Sequence, residues 1–247
     1  MSFGSLFRGT INHALRPFKL ELAKYRGGKL SAFSMEGGLA RAQRRGIEVS
    51  TILDIGASDG KWSRLALKYF PQARVLAFEP LAERKAALEA FKAHDARFDY
   101  LSAVAGDRAG EIAFHVSQDL DGSGVSPTRS PSDRTISMTT VDRAVKEHGL
   151  PPPYLLKFDT HGFEVPILDG AVKSLASTSL IVMEIYNFQL NGSSLRFHQM
   201  CAHIEKLGFR CCDLVDPMLR ERDQAFWQAD MFFLKSDSSL FECESYR

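Results

Sequence analysis

The 247-residue chain lacks most of the features that would commit it to a special environment. No apolar run approaches the ~18 residues needed to span a bilayer, which excludes a transmembrane segment. Cysteine is scarce: Cys201, Cys211, Cys212 and Cys243 are all there is, and no two form a CxxC pair. That is neither a zinc spacing nor a disulfide framework, so a reducing cytoplasm is the expected compartment. Charge of one sign is also missing. The formal net charge is +1, so no global field draws the chain to nucleic acid or an anionic membrane. No G-x-G-x-x-G fingerprint and no GKS or GKT occurs, which argues against a dinucleotide pyrophosphate site and a nucleoside triphosphate loop. No N/D-P-P-Y motif follows the fourth strand; Pro151 to Tyr154 (PPPY) precedes it and reads as a stiff connection. A nucleic-acid substrate is thereby disfavoured.

What is present looks like an ordinary globular domain, with 45% apolar and 25% charged residues. Residues 1–46 read as helical pieces broken at Gly27-Gly28 and Gly37-Gly38. This basic, mildly amphipathic segment has no secretory apolar core or cleavage site. It is expected to pack on the domain or close over its site, with a transit or membrane-surface role as the minor alternative. Residues 47–247 are expected to form a single domain. TILDIG, ARVLAFEP, FDYLSAVAG, YLLKFD and SLIVMEIYN read as strands, with helical stretches between most of them. Asp142 is the N-cap candidate after ISMTT. Such alternation predicts a mainly parallel α/β sheet with helices on both faces. RCCDLVDP and FWQADMFFLK are separated only by MLRERDQA, too short for a crossover, so these strands should pair antiparallel. The Asp121–Arg134 loop is rich in Gly, Ser and Pro and is a candidate acceptor lid.

Ligands of such sheets bind beyond the carboxyl ends of the strands. The turn Asp54-Ile55-Gly56-Ala57-Ser58-Asp59-Gly60 lies at one such end, where Gly56 and Gly60 permit a tight turn. Glu79 follows 23 residues after Gly56 (79 − 56) at the end of the next strand, placed to accept hydrogen bonds from both ribose hydroxyls. Asp54 would repel a pyrophosphate but could hold an ammonium, directly or through water. A ligand with a ribose, an ammonium and no phosphate is S-adenosylmethionine. The plainer alternative is that Asp54 and Glu79 only cap helices.

Several of these stretches together resemble the FkbM-like methyltransferases: LDIGASDGKWS, FEP, LLKFDTHGFEVPILDGA, IVMEIYNF and FWQADMFFLK. The resemblance runs from about Thr51 to Lys235. It implies a class I methyltransferase (Rossmann-like) fold: a seven-stranded, mostly parallel sheet with an antiparallel last strand and S-adenosylmethionine as cofactor. It also implies that Asp54, Gly56, Ser58 and Gly60 form the cofactor turn and Glu79 binds the ribose. Val104 and Ala105, at the end of the third strand, lie by the adenine, and Asp159 lies beside the transferred methyl. Two positions depart from the family pattern. Ser58 stands where asparagine is frequent, and His161 where glutamate is usual.

Methyl transfer needs an acceptor oxygen aligned with the methyl carbon and a group that takes its proton. His161 is the candidate base, with Asp159 orienting it or the methionine part of the cofactor. Glu184, ending the next strand, is the third catalytic candidate. Asp159, Glu164 and Glu184 could bind a divalent cation through oxygens. His115, His148, His198 and His203 follow no ligand spacing and read as surface or packing residues, while Tyr186 lies near the candidate site. The expected activity is O-methylation of a small molecule, sugar or glycan, with homo-oligomerisation left open. The rivals are a methyltransferase fold that has lost catalysis and serves as a sensor or scaffold, and a nucleotide-dependent oxidoreductase.

Overall fold

Short apolar runs form the strands, and each is closed by a glycine turn or a helix-forming stretch. The computed structural model describes residues 31–246. The helical pieces expected before Gly28 lie outside the described residues. The strands in chain order are β1 (Thr51–Ile55), β2 (Arg74–Phe78), β3 (Phe98–Leu101), β4 (Val104–Ala105), β5 (Gly110–His115), β6 (Gly124–Val125), β7 (Arg134–Thr139), β8 (Tyr154–Phe158), β9 (Thr178–Tyr186), β10 (Phe209–Leu219) and β11 (Phe226–Lys235).

Seven of them form the main sheet in the order β10-β11-β9-β8-β1-β2-β3. β1 runs parallel to β2 and β8, and β8 parallel to β9. β11 runs antiparallel to both β9 and β10. This is the class I methyltransferase sheet, with the antiparallel ending read from the short connection. Because successive strand residues face opposite sides, the sheet feeds two cores. Leu53, Ile55, Leu156, Phe158, Ile181 and Met183 pack on one face. Ile52, Leu155, Leu180, Val182 and Phe232 pack on the other. Each buried large apolar side chain contributes ~1.5–3 kcal/mol.

Three local features differ from the sequence reading. FDYLSAVAG is not one strand: Leu101 ends the pairing with β2, and Val104 and Ala105 pair instead with Met138 and Thr139 of β7. They thus begin a second sheet, ordered β4-β7-β5-β6. The helix Met35–Arg44 runs through Gly37-Gly38 rather than breaking there, capped by Ser34, whose hydroxyl accepts from Gly37 N at 3.1 Å. A side chain at Gly38 would come within 2.8 Å of the Phe232 ring, so this glycine lets the helix seat on the sheet. Thr140, not Asp142, caps the helix Val141–Glu147. Asp142 accepts from Lys173 N and Ser174 N and so caps the neighbouring helix Val172–Ala176. That helix is separate from Glu164–Asp169, the two being divided at Gly170. No helix among the described residues is long and apolar enough to cross a membrane.

Candidate active site

A cavity of about 290 Å³ opens at the carboxyl ends of β1, β2, β8 and β9, walled on its far side by the small sheet. Gly56, Ser58, Glu79, Val104, Ala105, Asp159, His161 and Glu184 all line it. These residues span more than a hundred positions of sequence, and the parallel register gathers them at one edge.

The turn after β1 is shaped by backbone constraint. Gly56 has φ +82°, and a Cβ there would lie 2.0 Å from the carbonyl oxygen of Asp159. Only glycine lets β1 turn this close to β8. Ser58 is also left-handed, at φ 49°, a conformation in which asparagine is likewise tolerated. Its N–H donates to Glu79 Oε2 at 2.8 Å, while Leu81 N donates to Oε1 at 2.8 Å. Burial pushes the Glu79 carboxyl up, and these two N–H groups pull it part of the way back. Each carboxylate oxygen keeps lone-pair capacity for a further donor. Beside it, Leu81, Val104, Phe114 and Met138 form a small apolar cluster. A flat apolar ring could lie against it.

Two residues expected at the cofactor turn are placed elsewhere. Asp54 is fully buried and does not line the cavity. Ser63 Oγ donates to its Oδ2 at 2.6 Å. Its Oδ1 has no hydrogen-bond partner and lies 4.0 Å from Lys157 Nζ. The cause is strand alternation: Asp54 points into the face of the sheet that carries Lys157, its register partner on β8. Gly60 is the N-cap of the helix Lys61–Tyr69 at φ 77°. A side chain there would come within 3.0 Å of Phe91, so Gly60 serves helix packing.

Beneath the cavity runs a strip of ionisable groups. Lys157, 3% exposed, donates to Asp159 Oδ2 at 2.7 Å. Burial alone would lower the Lys157 ammonium, but Asp159 and Asp54 push it up to about 12. Burial would likewise raise Asp159, but the attraction of Lys157 outweighs it and holds that carboxyl below its ordinary value. Glu184 goes the other way. Burial, reinforced by Asp159, pushes it up to about 8. The Tyr186 hydroxyl and the Gln228 amide donate to its two oxygens. Across the strand pair, Asp230 stands in register with Glu184 and is pushed up to about 7, chiefly by burial. The strip therefore holds Asp54, Asp159, Glu184 and Asp230 against the ammonium of Lys157. Such an excess of buried carboxyl groups favours an arriving cation.

His161 stands above this strip. Its Nδ1 lies 3.1 Å from the carbonyl oxygen of Ser123. A carbonyl only accepts, so Nδ1 carries a hydrogen, and in the neutral ring the lone pair is on Nε2. Nε2 is 3.6 Å from Asp159 Oδ1 and 3.9 Å from Glu184 Oε2. The residue is left-handed, with φ 52°, and is followed by Gly162 at φ 96°. A non-glycine residue in this region costs ~1–2 kcal/mol, and it buys the aim of the ring.

The oxygen triad expected from the sequence does not assemble. Glu164 is buried, and its Oε1 accepts from Gly162 N at 2.8 Å and Thr160 Oγ1 at 3.2 Å. His161 takes its place: Asp159, His161 and Glu184 each offer a donor atom within 4.8 Å of the others. Lys157, Ser123, Asp230 and Arg84 were missed by sequence reasoning. Lys157 did leave a signal, as a charge inside the apolar run YLLKF. Arg84 lines the cavity and pairs with Asp121 at 2.5 Å, and Glu83 pairs with Arg134 at 2.6 Å.

A family model described as the methyltransferase FkbM domain matches residues 54–211. No curated protein matches the chain. Among solved structures, the chain is similar to a methyltransferase FkbM from Methylobacillus flagellatus KT, at 15% identity and a TM-score of 0.49. That match covers 84% of this chain and 46% of the other, so the chain spans less than half of that protein's length. It is also similar to 1,6-didemethyltoxoflavin-N1-methyltransferase from Burkholderia thailandensis, a structure with 1,6-didemethyltoxoflavin and S-adenosylhomocysteine bound. That match has 10% identity and a TM-score of 0.46, and covers 95% of this chain and 89% of that one. A precorrin-6y C5,15-methyltransferase from Geobacter metallireducens GS-15 matches at 12% identity and a TM-score of 0.43, over 88% and 95% of the two chains.

Proposed function

The chain belongs to the FkbM methyltransferase domain family, and from that premise we propose that it moves the methyl group of S-adenosylmethionine to a hydroxyl oxygen of a small molecule, sugar or glycan. The observation that carries the oxygen-directed reading is His161, which lines the cavity with Nδ1 on the Ser123 carbonyl and Nε2 beside Asp159.

The cavity fits the cofactor on three counts. Glu79, fixed by Ser58 N and Leu81 N, retains acceptor capacity for ribose hydroxyls. The slot by Leu81, Val104 and Phe114 suits a flat base. The carboxyl-rich strip suits a ligand carrying an ammonium and a sulfonium. In this reading Asp54 acts from beneath, through Lys157 and Ser63, rather than touching the ligand.

When bound, S-adenosylmethionine supplies an electrophilic methyl carbon on a positively charged sulfur. The protein's own part is positioning and proton transfer. His161 Nε2 would take the acceptor's hydroxyl proton as that oxygen replaces sulfur on the methyl carbon, the electron pair of the broken carbon–sulfur bond staying on sulfur. The imidazolium is then stabilised by the Asp159 carboxylate 3.6 Å away. Lys157 keeps Asp159 ionised for that task. The Ser123 carbonyl fixes the tautomer of the ring.

The three-donor set of Asp159, His161 and Glu184 supports a second reading, in which a divalent cation holds the acceptor oxygen. Lys157 on Asp159, and Tyr186 and Gln228 on Glu184, would then be the outer groups that orient the ligands. The two readings give His161 incompatible roles.

The deciding experiment has three stages. Calorimetric titration with S-adenosylhomocysteine should give saturable binding. Transfer of a labelled methyl group to a panel of hydroxylated acceptors should then give an ether product, identified by carbon–oxygen connectivity in NMR. Turnover unaffected by a chelator supports His161 as base; loss of turnover restored by magnesium or manganese supports the cation. Binding without product from any acceptor would point to the non-catalytic rival, and an N- or C-methyl product would overturn the oxygen-directed reading.

A further inference from the structure

A second opening, an open groove of about 320 Å³, shares His161, Gly124 and Val125 with the main cavity. His161 thus stands at the junction of the two spaces. The groove runs between the segment 122–133 and the turn at Leu190 and Asn191. Its apolar surface comes from Val125, Pro127 and Leu190, and its polar surface includes His115, Thr128 and Asp133.

His115 is the outlying feature. It ends β5 with its side chain 57% exposed, while the Asp133 side chain behind it is 1% exposed. Asp133 Oδ2 accepts from Ser130 N at 2.7 Å. Its Oδ1 has no hydrogen-bond partner and lies 3.7 Å from His115 Nδ1. The Ser130 N–H and the Ser126 hydroxyl hold the Asp133 carboxyl below its ordinary value, so it is ionised at neutral pH. At 3.7 Å the Asp133 carboxylate backs Nδ1 electrostatically without a hydrogen bond, and the exposed His115 ring borders the groove.

The charge of the groove limits its occupant. No lysine or arginine is among the described residues that line it. Arg129, nearby in sequence, donates to Thr135 Oγ1. The ionised carboxylate in the groove wall is Asp133, and the buried ammonium of Lys157 is already engaged by Asp159. An anionic ligand would meet Asp133 with no lysine or arginine among the described lining residues to offset it.

We propose that this groove is the acceptor subsite of the methyl transfer described above, on which the inference rests, and that His115, backed by Asp133, receives a hydroxyl of a neutral, hydroxyl-bearing ring. The ring's apolar face lies on Pro127, Val125 and Leu190, and one further hydroxyl reaches His161. His115 is then a binding residue that selects neutral acceptors over anionic ones.

The test reads binding directly, by saturation-transfer NMR on the full chain with and without S-adenosylhomocysteine. The probes are methyl glucopyranoside and glucuronic acid, which share a ring and differ in charge. Magnetisation should reach the methyl glucopyranoside ring and not glucuronic acid. His115→Ala and the milder Asp133→Asn should weaken that contact by about tenfold, the cost of one hydrogen bond, and leave S-adenosylhomocysteine affinity unchanged. Absence of contact by methyl glucopyranoside while S-adenosylhomocysteine binds overturns the subsite and leaves the methyl-transfer reading standing. Equal contact by both probes, or full contact in folded His115→Ala, overturns the roles given to charge and to His115. Failure of S-adenosylhomocysteine to bind overturns the methyl-transfer reading, and with it the acceptor role given to the groove.

Discussion

Replacing Lys157 with methionine tests the electrostatic floor of the site. Methionine keeps most of the length and removes the ammonium between Asp54 and Asp159. Both carboxyl groups then lose their counter-charge, one of them in a fully buried position. Removing one partner of a buried ion pair costs ~3–5 kcal/mol. For a domain of this size each kcal/mol lowers Tm by ~2–4 °C, so a fall of ~6–20 °C is expected at neutral pH. The pH dependence gives a sharper signature. In the wild type Asp159 is held below its ordinary value. Its contribution is present above that ordinary value and is lost as pH falls through the depressed one. In Lys157→Met, burial would raise Asp159 as it already raises Asp54, and would raise Asp54 further. The penalty should then be largest at neutral pH and shrink toward about pH 4, where both groups take up protons. Adding Asp54→Asn to the variant should recover part of the loss, because one of the two uncompensated carboxylates is gone. The assay is urea unfolding at about pH 7.5 and about pH 5. A variant as stable as wild type at neutral pH, or a loss of the same size at both values, would refute the reasoning.

His161→Ala should lower kcat by about 10²–10⁴ and leave S-adenosylhomocysteine affinity within a few-fold in calorimetry; equal losses in both would make His161 a structural residue. Glu79→Gln places an amide N–H opposite the N–H of Ser58 or Leu81, and should weaken S-adenosylhomocysteine binding by about tenfold or more; unchanged affinity would remove Glu79 from the ligand. Glu184, pushed up to about 8 from an ordinary 4.5, contributes stability that is fully present below the ordinary value and lost as pH rises through the raised one. Glu184→Gln should therefore flatten the decline of Tm between pH 4.5 and about pH 8, and parallel curves for variant and wild type would count against the buried, protonated carboxyl.

The parts of the fold most legible in the sequence were those with a local cause. The short connection before Phe226 forced an antiparallel pair, and the turn at Gly56 announced itself through glycine. Glu79 was legible because it ends a strand at the expected distance from that turn. What escaped depended on contacts between strands. β1 is buried along its whole length, so no polar–apolar alternation marks which face Asp54 takes, and its partnership with Lys157 exists only in the β1–β8 register. Glu164 was grouped with Asp159 and Glu184 because all three are carboxylates at or just past the ends of neighbouring strands. Its engagement with Gly162 N follows from a left-handed backbone at His161 and Gly162 that composition does not specify. His115 sat on an alternating, half-exposed strand, where a histidine has many idle uses. Only the fold brought Asp133 behind it.

The segment from Asp121 to Arg134 is fastened at both ends to the same short turn, Asp121 to Arg84 and Arg134 to Glu83. It is therefore held like a door frame by its two posts, and motion is left to the span between them, which carries Ser123 and the rim shared by both openings. Both fastenings are ion pairs with solvent-exposed partners, so dissolved salt weakens them. Ligand exchange through this mouth should therefore quicken as ionic strength rises, with no change at Asp159, His161 or Glu184.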